Sequence, residues 1–239
     1  MADRFFTELP LAVGEFQLTG AEAHHLAVVR RFEAGDRVVL FNGDGCDYPA
    51  VILDCGKKST MLSIPERVEI DRELPFPLTI AAALPKGDRA DFLIEKLTEL
   101  GVTTFVPLTT ARSIVVPKPA MLEKFRRQVI EASKQCGRNR LMTIAKPESW
   151  PKFLERTAGR QMLFHTVAAS VAARSGAVAT TIAIGPEGGF TSAEVQSAII
   201  AGREVVQFGP RTLRLETAAI VAAISAISGS WWDDEDAAS

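Results

Sequence analysis

The sequence predicts an α/β protein in two parts: a small amino-terminal β-barrel, then a larger sheet with helices on both faces. Three observations carry this. The first 70 residues hold short strand-like runs broken by turn residues, with Asn42-Gly43-Asp44-Gly45 as a hairpin signal. Glu73-Leu74-Pro75-Phe76-Pro77 then breaks the chain, because proline removes a backbone donor and holds its neighbour extended. Beyond it, short apolar runs alternate with helical periods, the pattern of buried parallel strands and crossover helices. At 239 residues, 47% hydrophobic and 23% charged, the chain suits one or two folded domains rather than a disordered or fibrous class.

In order, Thr19 is placed to cap a helix from Ala21 to Arg31, ahead of Gly35-Asp36. Val38 to Phe41, Tyr48 to Leu53 and Thr60 to Ile64 read as strands, the last two separated by Gly56-Lys57-Lys58. A barrel is the economical closure for such strands. After Pro77, the strand runs are Leu78 to Leu84, Thr104 to Leu108, Gln161 to Thr166, Thr180 to Ile184 and Val205 to Phe208. Leu93, Leu97 and Leu100 share one face of a helix stopped by Gly101; Leu122, Phe125, Val129, Ala132 and Cys136 do the same before Gly137. The last helix, Ala218 to Ile227, is apolar almost all round and is expected to be buried, in the core or against a partner. Trp231-Trp232 and Asp233-Asp234-Glu235-Asp236 read as a mobile tail, from about residue 229. Domains are therefore expected at 1–73 and 74–239.

The net charge of −2 hides an uneven distribution. Residues 1–73 carry 8 basic and 13 acidic residues, whereas 74–232 carry 19 and 12. Most of that excess lies between Arg112 and Arg140, where eight basic residues face only Glu123 and Glu131. Such a patch suits a polyanion or a solvated helix face about equally. Three cysteines without C-x-x-C spacing argue against a disulfide framework or a cysteine metal site, and fit a reducing cytoplasm. The amino-terminal residues have no apolar signal core, and no apolar run reaches membrane-spanning length.

Two loops concentrate the chemical signals. Gly185-Pro186-Glu187-Gly188-Gly189-Phe190 leaves a strand and enters a helix at the capping box Thr191-Ser192-Ala193-Glu194. Its glycines permit close approach of backbone to a ligand, or simply make a tight turn. Phe208 to Thr217 follows the last strand and carries Arg211 and Arg214. Neither a dinucleotide fingerprint nor a P-loop occurs. His24 and His25 are adjacent and cannot share a helix face, and no H-E-x-x-H or serine-triad order is present, so no metal is expected. His165 ends a strand, where it either lines a pocket or caps the sheet.

I-G-P-E-G-G-F-T-x-x-E (Ile184 to Glu194) followed by F-G-P-R-T-L-R-L-E-T-A (Phe208 to Ala218) resembles the RsmE-type family of SPOUT methyltransferases, which methylate N3 of a uridine in 16S ribosomal RNA. Upstream, K-G-D-R-x-D-x-x-I-E-K-x-T-E-L-G-V (Lys86 to Val102), R-S-I-V-V (Arg112 to Val116) and Q-C-G-R-N-R (Gln135 to Arg140) resemble family segments in the same order. The amino-terminal barrel is similar to that family's PUA-like RNA-binding domain. Lys134 and Cys136 stand where the family pattern has Glu and Ser, and Ala111 where an acid often precedes Arg112-Ser113.

The resemblance implies a SPOUT domain with a carboxy-terminal trefoil knot, S-adenosylmethionine as methyl donor and a cytoplasmic homodimer acting on 16S ribosomal RNA within the small ribosomal subunit. Its cofactor contacts fall on His165, Gly185, Pro186, Glu187, Gly188, Gly189, Phe208, Gly209, Leu213 and Arg214. Because the sulfonium already activates the methyl group, alignment supplies most of the catalysis. The uridine N3 proton must still leave. Either Glu187 or Glu216 accepts it, or Arg138, Arg211 or Arg214 steadies the uridine anion. RNA contacts are expected at Arg30, Arg31, Arg112, Lys124, Arg127, Lys134 and Arg138. The competing functions are a knotted ribose 2′-O-methyltransferase and a non-catalytic ribosome-assembly RNA-binding protein.

Overall fold

The computed structural model describes residues 3–165, 170–171, 178–207 and 211–231. They form two compact units, one of Met1–Glu73 with Ile130–Leu141, the other of Leu74–Val129 with Met142–Ser239.

The first unit opens with β1 (Arg4–Phe6) and β2 (Gly14–Thr19), then α1 (Gly20–His24) and a π-helical turn over His25–Val29. This departs from the expected regular helix. Thr19 makes no side-chain cap, and the Arg30 amide reaches back five residues to the His25 carbonyl (2.9 Å). The wider turn keeps Ala23 and Leu26 in the core and leaves Val29 exposed. Arg31, at φ 57°, ends it. β3 (Arg37–Phe41), β4 (Cys46–Cys55), β5 (Ser59–Ile64) and β6 (Val68–Glu69) follow. β3 and β4 pair antiparallel across the predicted Asn-Gly turn. The sheet runs β1-β3-β4-β5-β2, with β6 on β4. β1 and β2, too short or too mixed to read from sequence, close its two ends, β1 parallel to β3 through Phe5↔Leu40. Phe5, Leu26, Leu40, Tyr48, Ile52 and Leu62 fill the core.

Asp47 organises the polar side of this unit. It is 5% exposed and accepts both guanidinium nitrogens of Arg4 (2.8 and 2.9 Å) and one of Arg72 (2.9 Å). Burial alone raises its carboxyl, but the bonds and charge from Arg4 and Arg72 outweigh this and hold it below the ordinary carboxylate value. A depressed folded-state value contributes stability above the unfolded-state value, about pH 3.9, and loses it as pH falls through the folded value. Asp47→Asn should therefore lower the thermal midpoint at neutral pH and flatten its fall below about pH 4. Midpoints of the two proteins that fall in parallel across that window would contradict this role.

The second unit is built from β7 (Leu78–Ala82), α2 (Arg89–Glu99), β8 (Thr104–Thr109), α3 (Pro119–Cys136), β9 (Thr143–Ile144), β10 (Glu148–Ser149), α4 (Trp150–Leu154), β11 (Arg160–Phe164), β12 (Ser170–Val171), β13 (Thr180–Ile184), α5 (Ser192–Ile200), β14 (Glu204–Gln207) and α6 (Leu215–Trp231). The last turns of α3 belong to the first unit. Among the described residues the sheet is all parallel, ordered β10-β8-β7-β13-β11-β14-β12, with β9 on β8. α2 and α6 pack together, α6 also against β7 and β13, while α4 and α5 lie against β8, β10 and β14. Trp150, Phe153, Leu163, Ala183 and Phe190 form one cluster of its core.

Every strand expected in this unit is present within two residues of its predicted ends, except that Thr166 and Phe208 lie outside the described residues. α6 differs from expectation in its end: the helix continues through Trp231 rather than giving way to a tail near 229. Most of its apolar residues are buried in this unit, while Ile224 is 47% exposed on the chain's own surface. Trp232 and the acidic run lie outside the described residues. Among the described residues, no helix is long and apolar enough to cross a membrane.

Candidate cofactor pocket and polar clusters

β11 lies between β13 and β14, two strands that both follow it in the chain, so the strand order reverses about β11. Such a switch leaves a crevice at the carboxyl ends of the strands. His165 follows β11, Gly185 follows β13 and Gln207 ends β14 at that place. The crevice is a pocket open to solvent on one side. Of the residues expected there, His165, Gly185, Pro186, Glu187, Gly189, Arg211 and Leu213 line it. Gly188 and Arg214 are not among its lining residues, and Phe208 and Gly209 lie outside the described residues.

Sequence reasoning missed Phe164, Ile184, Phe190, Gln207, Thr212, Leu215 and Ala218, which supply much of the wall. Phe190 was legible, because it stands inside the glycine motif. Its ring is buried, 4.8 Å from the Trp150 ring by centroids. A Cβ on Gly185 would meet that ring at 2.9 Å, so only glycine passes between aromatic and pocket. The loop then closes as a tight turn, with the Gly189 amide on the Pro186 carbonyl at 2.7 Å and Gly189 at φ +68°. The expected capping box fixes the helix that follows: Thr191 accepts from the Glu194 amide, and Glu194 from the Thr191 amide.

Two arginines from distant segments grip this loop. Arg89 of α2 donates to Glu187 Oε1 at 2.6 Å, and Arg112 donates to the Gly188 carbonyl at 2.7 Å. The Glu187 bond is the main cause holding the Arg89 guanidinium above its ordinary pKa. Arg89 also lies 3.7 Å from Glu216 Oε1. Glu216 is 7% exposed, and its Oε2 has no hydrogen-bond partner among the described residues. A buried carboxylate oxygen left open beside a pocket wall calls for a ligand, a water or a proton.

The chemistry of this lining suits S-adenosylmethionine. The glycine cradle would be filled by any Cβ at position 185, apolar side chains from Phe164, Ile184, Leu213 and Leu215 suit an adenine and a thioether chain, and Glu187 and Gln207 offer polar partners.

The remaining expected residues sit elsewhere. Arg138 is 4% exposed in the first unit, its Nε and Nη2 on Glu73 at 3.0 and 2.5 Å. Lys134 is held between Glu22 (2.5 Å) and Glu131 (2.8 Å), and Arg30 pairs with Asp3. Lys124, bridged to Asp91 at 2.6 Å, and Arg127 and Arg31 are exposed. Much of the basic excess is thus already matched by acids within its own unit.

Residues 72–228 match a family model described as an RNA methyltransferase domain, and residues 18–60 one described as an RNA methyltransferase PUA domain. The chain is 36% identical over 214 residues to ribosomal RNA small subunit methyltransferase E of Synechocystis sp., covering 86% of this chain and 70% of that protein. It is 32% identical over 245 residues to the protein of that name from Bacillus subtilis, covering 94% and 95%. Among solved structures, ribosomal RNA small subunit methyltransferase E from Neisseria gonorrhoeae bound to S-adenosyl methionine superposes with TM-score 0.87 at 29% identity, covering 93% of this chain and 95% of that one.

Proposed function

The chain belongs to the ribosomal RNA small subunit methyltransferase E family, and from that membership we propose that it transfers a methyl group from S-adenosylmethionine to N3 of a uridine in 16S ribosomal RNA. The observation that carries the proposal is convergence. Six residues expected from two separate loops, and His165 from the end of a third strand, line one pocket at the switch point of the sheet.

In this reading residues 1–73 are a PUA-like β-barrel that holds RNA, and residues 74–239 are a SPOUT domain whose last strands and loops form a trefoil knot. The protein works in the cytoplasm on the small ribosomal subunit as a homodimer.

When bound, S-adenosylmethionine supplies a methyl group already activated on its sulfonium. The chain's own part is to seat it, exclude water and manage one proton. Gly185 presents backbone where a Cβ would collide with the Phe190 ring that backs it, and Gly189 supplies the positive φ that closes the turn. Glu187, oriented by Arg89, stands at the pocket wall and accepts the N3 proton of uridine. Arg211, exposed at the same wall, is placed to steady the uridine anion. Glu216, beside Arg89, keeps a second carboxylate near the site.

Calorimetry with S-adenosylmethionine separates this enzyme from a non-catalytic RNA-binding protein. One saturable site is expected, competed by S-adenosylhomocysteine. A folded protein with no heat of binding would remove the proposal.

A further inference from the structure

The first unit holds a cavity of about 340 Å³, within the size range of small-molecule sites. β1 supplies Phe5 to its wall, the π-helical turn supplies His25 and Arg30, and the last turns of α3 supply Glu131 and Gln135. None of these residues lines the cofactor pocket. We propose that this cavity takes one nucleotide of the RNA other than the methyl acceptor, its base stacked on His25 and its edge read by Gln135 and Glu131. The proposal rests on the reading above that RNA is the substrate, and it names a place where the first unit recognises it.

The π-helical turn gives the first argument. At 3.6 residues per turn, side chains at 25 and 30 would point about 140° apart, on different faces of the helix. The Arg30 amide instead reaches the His25 carbonyl five residues back (2.9 Å), and both side chains line the cavity. The turn that keeps Leu26 in the core thus also brings these two together. Single π-turns of this kind are frequent at functional sites.

The ring at position 25 gives the second. Phe5 is 2% exposed and braces the half-buried His25 ring edge to face, with centroids 6.0 Å apart. An imidazole fixed at a cavity wall is a stacking platform, and histidine is among the rings on which unstacked RNA bases rest.

Hydrogen bonding gives the third. The cations of this wall are already matched: Arg4 by Asp47, Lys134 by Glu22 and Glu131, and Arg30 by Asp3. The His25 ring and the Gln135 amide, by contrast, make no hydrogen bond among the described residues. Glu131 and Gln135 stand four residues apart on α3, so they share one face. An amide that donates and accepts, beside a carboxylate that accepts, complements the mixed edge of a nucleobase; a bare phosphate offers acceptors only. Matched charge also favours a nucleotide within a chain, whose diester carries a single charge, over a free nucleotide with its nearly dianionic phosphate. Arg30 and Asp3 have side chains 48% and 36% exposed, and a surface pair of that kind opens at little cost to turn Arg30 toward that diester.

The test separates a base contact from a phosphate contact. Affinity for 16S ribosomal RNA is measured across a range of salt for wild type, His25→Ala, His25→Phe, Gln135→Leu and Arg30→Ala. Circular dichroism checks folding, and calorimetry with S-adenosylmethionine checks the second unit. His25→Ala should weaken RNA binding on the order of 10-fold, the scale of one lost base stack, and His25→Phe should keep most of the affinity. Gln135 is exposed, so Gln135→Leu probes the same cavity without disturbing the core, and it should weaken binding likewise. Neither His25→Ala nor Gln135→Leu should change the salt dependence, because a base contact releases no counterion; Arg30→Ala should make the slope shallower by about one. Wild-type affinity in both His25→Ala and Gln135→Leu would overturn the proposal. So would a shallower slope in His25→Ala, His25→Phe binding as weakly as His25→Ala, or a loss of cofactor affinity in either cavity variant. Adenosine 5′-monophosphate that binds wild type and is not displaced by the RNA would assign the cavity to a free nucleotide and overturn it too. A wild-type protein that binds RNA with these variant effects but transfers no methyl group would instead support this site and remove the function proposed above.

Discussion

Gly189→Val should weaken S-adenosylmethionine binding by an order of magnitude or more in a chain that remains folded. Gly189 sits at φ +68°, where an L-residue costs roughly 1–2 kcal/mol and a β-branched one is rarer still. Nothing lies within 4 Å of the Cβ position, so the cost is backbone strain rather than collision. That strain is relieved only by moving the Pro186–Gly189 turn, and the turn is the pocket wall. Gly202→Val is the matched control: φ is +76°, its Cβ position is equally open, and it does not line the pocket. Both variants should lose similar stability, but only the first should lose the cofactor. Equal cofactor affinity in the two, measured by calorimetry, would detach the loop from the site.

Arg138→Ala should cost the first unit about 3 kcal/mol, the scale for breaking a buried ion pair from one side. Arg138 and Glu73 are bidentate, with side chains only 5% and 16% exposed, and truncation strands a carboxylate that has little water to turn to. Arg4 adds a bond to the Arg138 carbonyl at 3.5 Å, and Asn139 donates to the Ile70 carbonyl at 3.0 Å, so the segment is pinned on both sides. Denaturant unfolding of Arg138→Ala, Glu73→Gln and the double variant measures the coupling. Large single losses that do not add would establish the clamp. An unchanged midpoint with depressed kcat, partly restored as pH rises, would instead assign Arg138 to the uridine anion.

What the sequence made legible, and what it did not, follows from the range of the interactions. The capping box at Thr191, the Asn-Gly hairpin and the five apolar strands of the second unit are local patterns, and each stands close to its expected place. β1, three residues long, exists because β3 pairs with it, and no three-residue pattern announces that. The regular helix expected to Arg31 became a π-helical turn because core packing around Leu26, not propensity, set its period. At the site, the glycine motif pointed to the pocket, whereas Arg89 was given no role and Arg112 was expected on RNA rather than on the glycine loop. Their partners, Glu187 and Gly188, are 98 and 76 residues away. Lys134 and Arg138 looked like parts of an RNA-facing stripe because charge counting along one helix cannot see Glu22 or Glu73 arriving from elsewhere.

The central claim is the identity of the methylated atom. Small ribosomal subunits or 16S ribosomal RNA are incubated with the protein and methyl-labelled S-adenosylmethionine, the RNA is digested to nucleosides, and the labelled product is identified by mass and chromatographic mobility. Label in 3-methyluridine is the predicted result. Label in a 2′-O-methylated ribose, or a wild-type protein that binds RNA and transfers no label, would contradict it.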